Sequence, residues 1–149
     1  MRVGNNMTKQ IKPYEHVVQY YETDQMKVVH HSNYIRWFEE ARVDAFEQIG
    51  LGYKECEQMG VMSPVTSVSA KYKTSTEFYD TVVIKIKFVK YTGVRLYIEY
   101  EVTDKATGTV RCTGQSEHCF VTTEGKIVSI AKSYPDMDAI IRGFLEEET

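Results

Sequence analysis

The sequence predicts an α+β fold in which an antiparallel sheet wraps one long helix. Three observations predict it. One segment, Asn33 to Ile49, carries a helical apolar period. From Met62 onward the period changes to two, in segments that alternate as half-buried strands do. The breaks between these alternating segments are short, which pairs consecutive strands antiparallel.

Taken in order, His16 to Tyr21 is rich in valine and tyrosine and reads as a first strand. In the helix, Tyr34, Trp37, Phe38, Ala41, Ala45 and Ile49 recur at intervals of three and four and form one apolar stripe. Arg36, Glu39, Glu40, Asp44 and Glu47 fall mostly elsewhere. Ser32 or Asn33 can cap its start, since a short polar side chain accepts from a free helical N–H. Gly50 and Gly52 supply a stop. A shorter helix is expected over Lys54 to Met59, before Gly60.

Met62 to Lys73 reads as a strand. In Val82 to Val89, Val82, Ile84, Ile86 and Phe88 face one way, and Val83, Lys85 and Lys87 the other. In Val94 to Val102, Val94, Leu96, Ile98, Tyr100 and Val102 face inward, with Arg95, Tyr97, Glu99 and Glu101 outward. Thr109 to Thr122 is a long strand in which Gly114 marks a bend or bulge. Pro135 opens either a last helix through Leu145 or a loosely helical tail. The economical arrangement lays a sheet of about five or six strands over the apolar stripe of the long helix.

No linker, repeat or low-complexity tract divides the chain. It reads as one domain over residues 1–149, with 1–12 as a flexible N-terminal extension and Met7 as an alternative start. The formal net charge of −3 argues against a duplex nucleic-acid binder, which needs a basic face. No run of eighteen apolar residues spans a membrane, and Met1 to Gln10 lacks the apolar core of a secretion signal. Cys56, Cys112 and Cys119 form neither an even disulfide set nor a zinc spacing. A cytoplasmic location is the expectation. His30, His31 and His118 are the residues that suggest a metal, but adjacent histidines on a short loop rarely point at one ion, so no metal and no cofactor are expected.

The informative stretch runs from Tyr20 to Tyr34, joining the first strand to the start of the long helix. Its Thr23-Asp24, Val28-Val29, His31 and Tyr34 resemble, in register, the motif of the 4-hydroxybenzoyl-CoA thioesterase family of the hotdog fold, in particular its YbgC-like acyl-CoA thioesterases. A weaker likeness continues through Arg36-Trp37-Phe38-Glu39-Glu40-Ala41-Arg42 and the order of elements, and covers nearly the whole chain. Where relatives often carry small residues or glycine after the aspartate, this chain has Gln25-Met26-Lys27.

The resemblance implies hydrolysis of an acyl-CoA to free acid and CoA. It makes Asp24 the catalytic carboxylate and places the backbone N–H of His31 at the oxyanion. Val29, His30, Ser32, Asn33 and Tyr34 are the substrate-binding candidates around them. The chemistry agrees: a helix start offers unpaired N–H groups and the positive end of a dipole, suited to charge developing on a thioester oxygen. A carboxylate on the approaching loop can attack the carbonyl or deprotonate a water. The His31 ring can act as acid or base, or only line the pocket. Lys87, Lys90 and Arg95 flank one turn; Lys90 and Arg95 can meet the phosphates of coenzyme A, or simply be solvated.

Glu39 and Glu40 are rival carboxylates on the helix, and Arg36 and Glu40 are spaced for an ion pair. The family also implies a homo-oligomer, a dimer at least and by expectation a homotetramer. An acyl carrier protein is a possible partner. The rival functions are a non-catalytic module that binds acyl-CoA or acyl carrier protein, and a hydratase of the same fold. No Gly-x-Ser-x-Gly elbow or glycine-rich phosphate loop is present.

Overall fold

The long helix α1 spans Ser32–Gln48 and buries Tyr34, Trp37, Phe38, Ala41 and Ala45, the stripe that its period predicts. A computed structural model describes residues 10–146 of the chain. The extension expected over 1–12, with the start at Met7, lies outside the described residues apart from 10–12. There Lys12 is tied to the end of α1: its N–H donates to Gln48 Oε1 at 2.8 Å and its carbonyl accepts from Gln48 Nε2 at 3.0 Å.

Around α1 the elements are β1 (Tyr14–Val17), α2 (Tyr53–Met59), β2 (Val61–Met62), β3 (Val65–Tyr72), β4 (Thr81–Tyr91), β5 (Arg95–Asp104), β6 (Val110–Cys119), β7 (Val121–Thr122), α3 (Ile130–Ser133) and α4 (Pro135–Gly143). Five strands form one sheet in the order β1-β4-β5-β6-β3, and β2 pairs with β7 in a small second sheet. Every pairing between strands is antiparallel. The inner face carries Val82, Ile84, Ile86 and Phe88 from β4 and Leu96, Ile98, Tyr100 and Val102 from β5, all buried in the core.

Several boundaries differ from the expectation, each for a local reason. The first strand stops at Val17, and Tyr20–Glu22 winds into a 3-10 turn. The strand expected over Met62 to Lys73 breaks at Ser63-Pro64, because proline has no N–H to give a ladder. Thr109 to Thr122 breaks likewise into β6 and β7 at Phe120. Val94 precedes β5 rather than opening it, and the C-terminal segment is two helices, of which α4 begins at Pro135. Gly52 does not stop α1; it is the extended residue that starts α2.

Gly114 marks neither a bend nor a bulge. It pairs in register with Ala70 and with Tyr100, and the irregularities of the sheet fall elsewhere, at Val65/Ser67, Phe88/Lys90 and Val102/Thr103. The glycine is there because the Phe38 ring and the Ser69 carbonyl occupy the place a β-carbon would take. Strand β3 closes one edge of the sheet and leaves Val65, Val68 and Tyr72 exposed.

Candidate active site

The loop from β1 to α1 is tied at both ends. Thr23 and Val29 form an antiparallel bridge, and Asp24 N–H donates to Val28 O at 2.9 Å. Lys27 N–H returns to Asp24 O at 2.9 Å and closes a tight turn. That closure puts Lys27 in the left-handed region, at φ 67°. A second loop braces the first: Val28 bridges Glu77, and Val29 N–H donates to Thr76 O at 2.8 Å.

Asp24 is half-buried at the tip. Its Oδ1 accepts from Met26 N–H at 2.8 Å, an Asx-type bond that holds the side chain over its own turn. Its Oδ2 has no partner among the described residues. The side chain faces a cleft of about 840 Å³ shared with His30, Ser32, Asn33, Arg36 and Glu40 at the start of α1.

The N-cap of α1 is His31, not Ser32 or Asn33, and the His31 side chain makes no cap bond. Ser32 N–H points at His30 Nδ1 at 3.2 Å, and Ser32 Oγ bonds the same nitrogen at 2.9 Å. Asn33 N–H donates to His30 O at 3.0 Å. His31 N–H, between them, makes no bond among the described residues. The His31 ring is exposed, stacked on His30 with centroids 4.3 Å apart and edge-on to Tyr72 at 5.9 Å. Asn33 spends its side chain within the loop: Nδ2 donates to Glu22 O at 2.9 Å and to His30 O at 3.2 Å.

Tyr34 and Val29 are buried. The Tyr34 hydroxyl bonds Thr76 Oγ1 at 2.8 Å, and burial holds its pKa above the ordinary phenol value. Both brace the site rather than line its cleft. Lys90 and Arg95 are not brought to the cleft in this chain. Asp24's loop leaves the sheet beside Thr81, where Val18 N–H bonds Asp80 O at 2.9 Å, and the β4–β5 turn lies at the other end of β4. At about 3.3 Å per residue that is roughly 30 Å away. There Lys90 Nζ sits over the Tyr97 ring at 5.1 Å, and Arg95 Nη1 meets Glu117 Oε2 at 3.5 Å. Glu40 pairs with neither Arg36 nor solvent alone: it accepts from the Tyr14 hydroxyl at 2.9 Å and stands 3.4 Å from His16 Nδ1.

Two polar networks have no counterpart in the sequence reading. The first centres on Glu22, 4% exposed, whose carboxylate gathers Gln19 N–H, His16 and Trp37. Burial by itself pushes that carboxyl up, but the three bonds and the neighbouring His16 outweigh it and hold Glu22 below the usual carboxylate range. The only sign of it in the sequence is an acid placed amid aromatic residues, two positions before Asp24.

The second network lies under α1. Arg42 Nη1 donates to the Tyr100 hydroxyl at 3.3 Å, Tyr100 meets Ser116 Oγ at 2.6 Å, and Ser116 meets His118 Nε2 at 2.7 Å. A guanidinium only donates, so the Tyr100 oxygen accepts from Arg42, while the Tyr100–Ser116 and Ser116–His118 bonds can each run either way. Burial first, and then the charge of Arg42, press the pKa of His118 down to about 4. Its Nδ1 has no hydrogen-bond partner among the described residues, and the Ser63 backbone offsets part of the downward shift. Among the described residues, no group of three or more His, Cys, Asp or Glu is placed to hold a metal ion. No helix among them is long and apolar enough to cross a membrane.

An antiparallel sheet closed over one long helix is the hotdog architecture of thioesterases. The chain belongs to the thioesterase-like superfamily, whose family profile matches residues 18–140, and it is an enzyme of the thioester hydrolase class. It is 32% identical over 120 residues to the Bacillus subtilis (strain 168) protein named "Putative acyl-CoA thioesterase YneP", covering 80% of this chain and 86% of that one. It is similar to the solved DHNA-CoA thioesterase of Staphylococcus aureus, with a TM-score of 0.82 and 29% identity over 93% of this chain and 98% of the other. The fold is shared with a 1,4-dihydroxy-2-naphthoyl-CoA thioesterase from Synechocystis, at 16% identity and a TM-score of 0.78, covering 88% and 95%.

Proposed function

We propose that the protein hydrolyses an acyl-CoA to the free acid and CoA, with Asp24 as the reacting carboxylate and the N-terminus of α1 as the oxyanion site. One observation carries this reading: Asp24, with one uncommitted carboxylate oxygen, lines the cleft at the start of α1, the helix whose N-cap residue, His31, keeps an uncommitted amide. A thioester carbonyl set between them has its carbon exposed to the acid side and its oxygen turned to the amide and the helix dipole.

Asp24 then does one of two things. It takes a proton from a water whose oxygen adds to the carbonyl carbon, or it adds directly and forms a mixed anhydride that water opens. Either way negative charge gathers on the carbonyl oxygen, the His31 N–H and the positive end of α1 stabilise it, and the C–S bond breaks to release the thiolate of CoA. Thiolate is a good leaving group, so the exposed His31 ring is not required as an acid.

The acting unit in this reading is a homodimer at least. Strand β3 offers a free edge with Val65, Val68 and Tyr72 exposed, and such an edge is satisfied by a second strand. Any contact of Lys90 or Arg95 with the phosphates of CoA would come from a second subunit, since in one chain they sit at the far end of β4. The test is thiol release from acetyl-, octanoyl- and benzoyl-CoA by the wild-type protein and Asp24→Asn. Hydrolysis by the former and its loss in the latter support the reading. Saturable binding of these compounds without hydrolysis by the wild type overturns it.

A further inference from the structure

We infer that Glu22 is a positioning residue of the reaction, holding the loop that carries Asp24 in register with the start of α1. The inference rests on Asp24 being the reacting carboxylate.

Glu22 is where three parts of the chain meet. Its Oε1 accepts from Gln19 N–H at 2.8 Å and from His16 Nε2 at 2.8 Å; its Oε2 accepts from Trp37 Nε1 at 2.8 Å. His16 belongs to β1 and Trp37 to α1, so one carboxylate ties the sheet, the 3-10 turn and the central helix. The backbone of the same residue completes the knot. Its carbonyl accepts from His30 N–H at 2.9 Å and from Asn33 Nδ2 at 2.9 Å. Residues 22 to 30 therefore leave and return to Glu22, and Asp24 hangs between.

A purely structural tie would not need a charge here. A buried carboxylate is costly to desolvate, and an apolar side chain of similar volume commonly does as well or better for stability. What the carboxylate alone supplies is two acceptor oxygens at fixed angles for donors from three elements. That is a device for holding geometry. It matters two residues from a reacting group, where a displacement of about 1 Å can cost about a hundredfold in rate.

Glu22→Gln keeps the shape and breaks the arrangement. Trp37 Nε1–H and Gln19 N–H can only donate, so whichever way the amide turns, its NH₂ faces one of them. The experiment compares the wild type, Glu22→Gln, Asp24→Asn and the double variant on whichever of acetyl-, octanoyl- and benzoyl-CoA the wild type turns over fastest, well below each unfolding transition. Glu22→Gln is expected to lower kcat by about 10- to 100-fold and to change KM by less than about threefold. In the Asp24→Asn background the same change should lower the residual rate by less than about threefold, because no carboxylate remains to be misplaced.

A wild-type kcat for Glu22→Gln, or an equal loss in both backgrounds, overturns the inference and leaves Asp24 untouched. A wild-type rate for Asp24→Asn instead removes the assignment beneath it. If Glu22→Gln does not fold, Trp37→Phe takes its place: it removes the donor to Oε2, together with part of a buried ring that packs on His16 and Tyr34, and in the folded variant should lower kcat by about threefold to tenfold at near-constant KM. A kcat unchanged by Trp37→Phe overturns the inference too.

Discussion

The ring of Phe38 lies almost flat on that of Tyr100, with centroids 4.4 Å apart and planes 14° apart. The pair fixes the distance between α1 and the sheet, and Gly114, in register with Tyr100, is the concession that lets the phenyl ring come so close. Gly114→Ala places a methyl group against that ring and the Ser69 carbonyl. Overpacking of this kind costs about 1–3 kcal/mol. A urea titration should show that loss, and Phe38→Leu in the same chain should return part of it.

Asp24→Asn should lower turnover by about 10²–10⁴-fold, the range for a lost acid–base group. The asparagine keeps an acceptor oxygen for Met26 N–H, so the turn survives. Far-UV circular dichroism and the urea midpoint should match the wild type while thiol release falls.

Lys27 should be better as glycine. At φ 67° a β-carbon is crowded by its own backbone, and the side chain is exposed. Lys27→Gly should raise stability by about 0.5–1 kcal/mol, and Lys27→Val should lower it. Chemical denaturation of the two variants side by side checks the sign.

Acid should destabilise the fold through His118 before the carboxylates titrate. Its folded pKa is depressed to about 4 from the ordinary 6.5. Below pH 6.5 the unfolded chain therefore binds a proton that the native chain refuses. Stability is lost as pH falls from 6.5 towards 4, by about 3 kcal/mol at the lower end. Glu22 and Asp104 are held below their ordinary values of 4.5 and 3.8, so their contribution is lost only at lower pH. Urea unfolding between pH 7 and pH 4.5 should show a slope that flattens in His118→Gln. Equal slopes in the two proteins would remove this role for His118.

What could be read from the sequence was what repeats. The stripe of α1 and the alternation of β4 and β5 follow directly from spacing, because a buried helix face or sheet face imposes its own period. The Asp24 loop was legible because acid, gap and helix start lie close together in the chain. What was hidden depends on residues far apart. Nothing near Gly114 says that Phe38 will press on it. Nothing near Glu22 says that Trp37 and His16 will supply its donors, and a glutamate on a loop reads as solvated. The break at Ser63-Pro64 was visible as a proline but not as the place where one strand becomes two. His118 was a histidine in an alternating strand, and its depressed pKa follows only from its burial and from the nearby charge of Arg42.

The bare flank of β3 ties the stability of this protein to its concentration if a second copy covers it. If two flanks join, folding and association become one equilibrium, and dilution pulls both apart together. The midpoint of thermal unfolding should then climb as the solution is concentrated. A lysine at Val68, in the middle of that flank, should abolish the climb while leaving the dilute midpoint where it was.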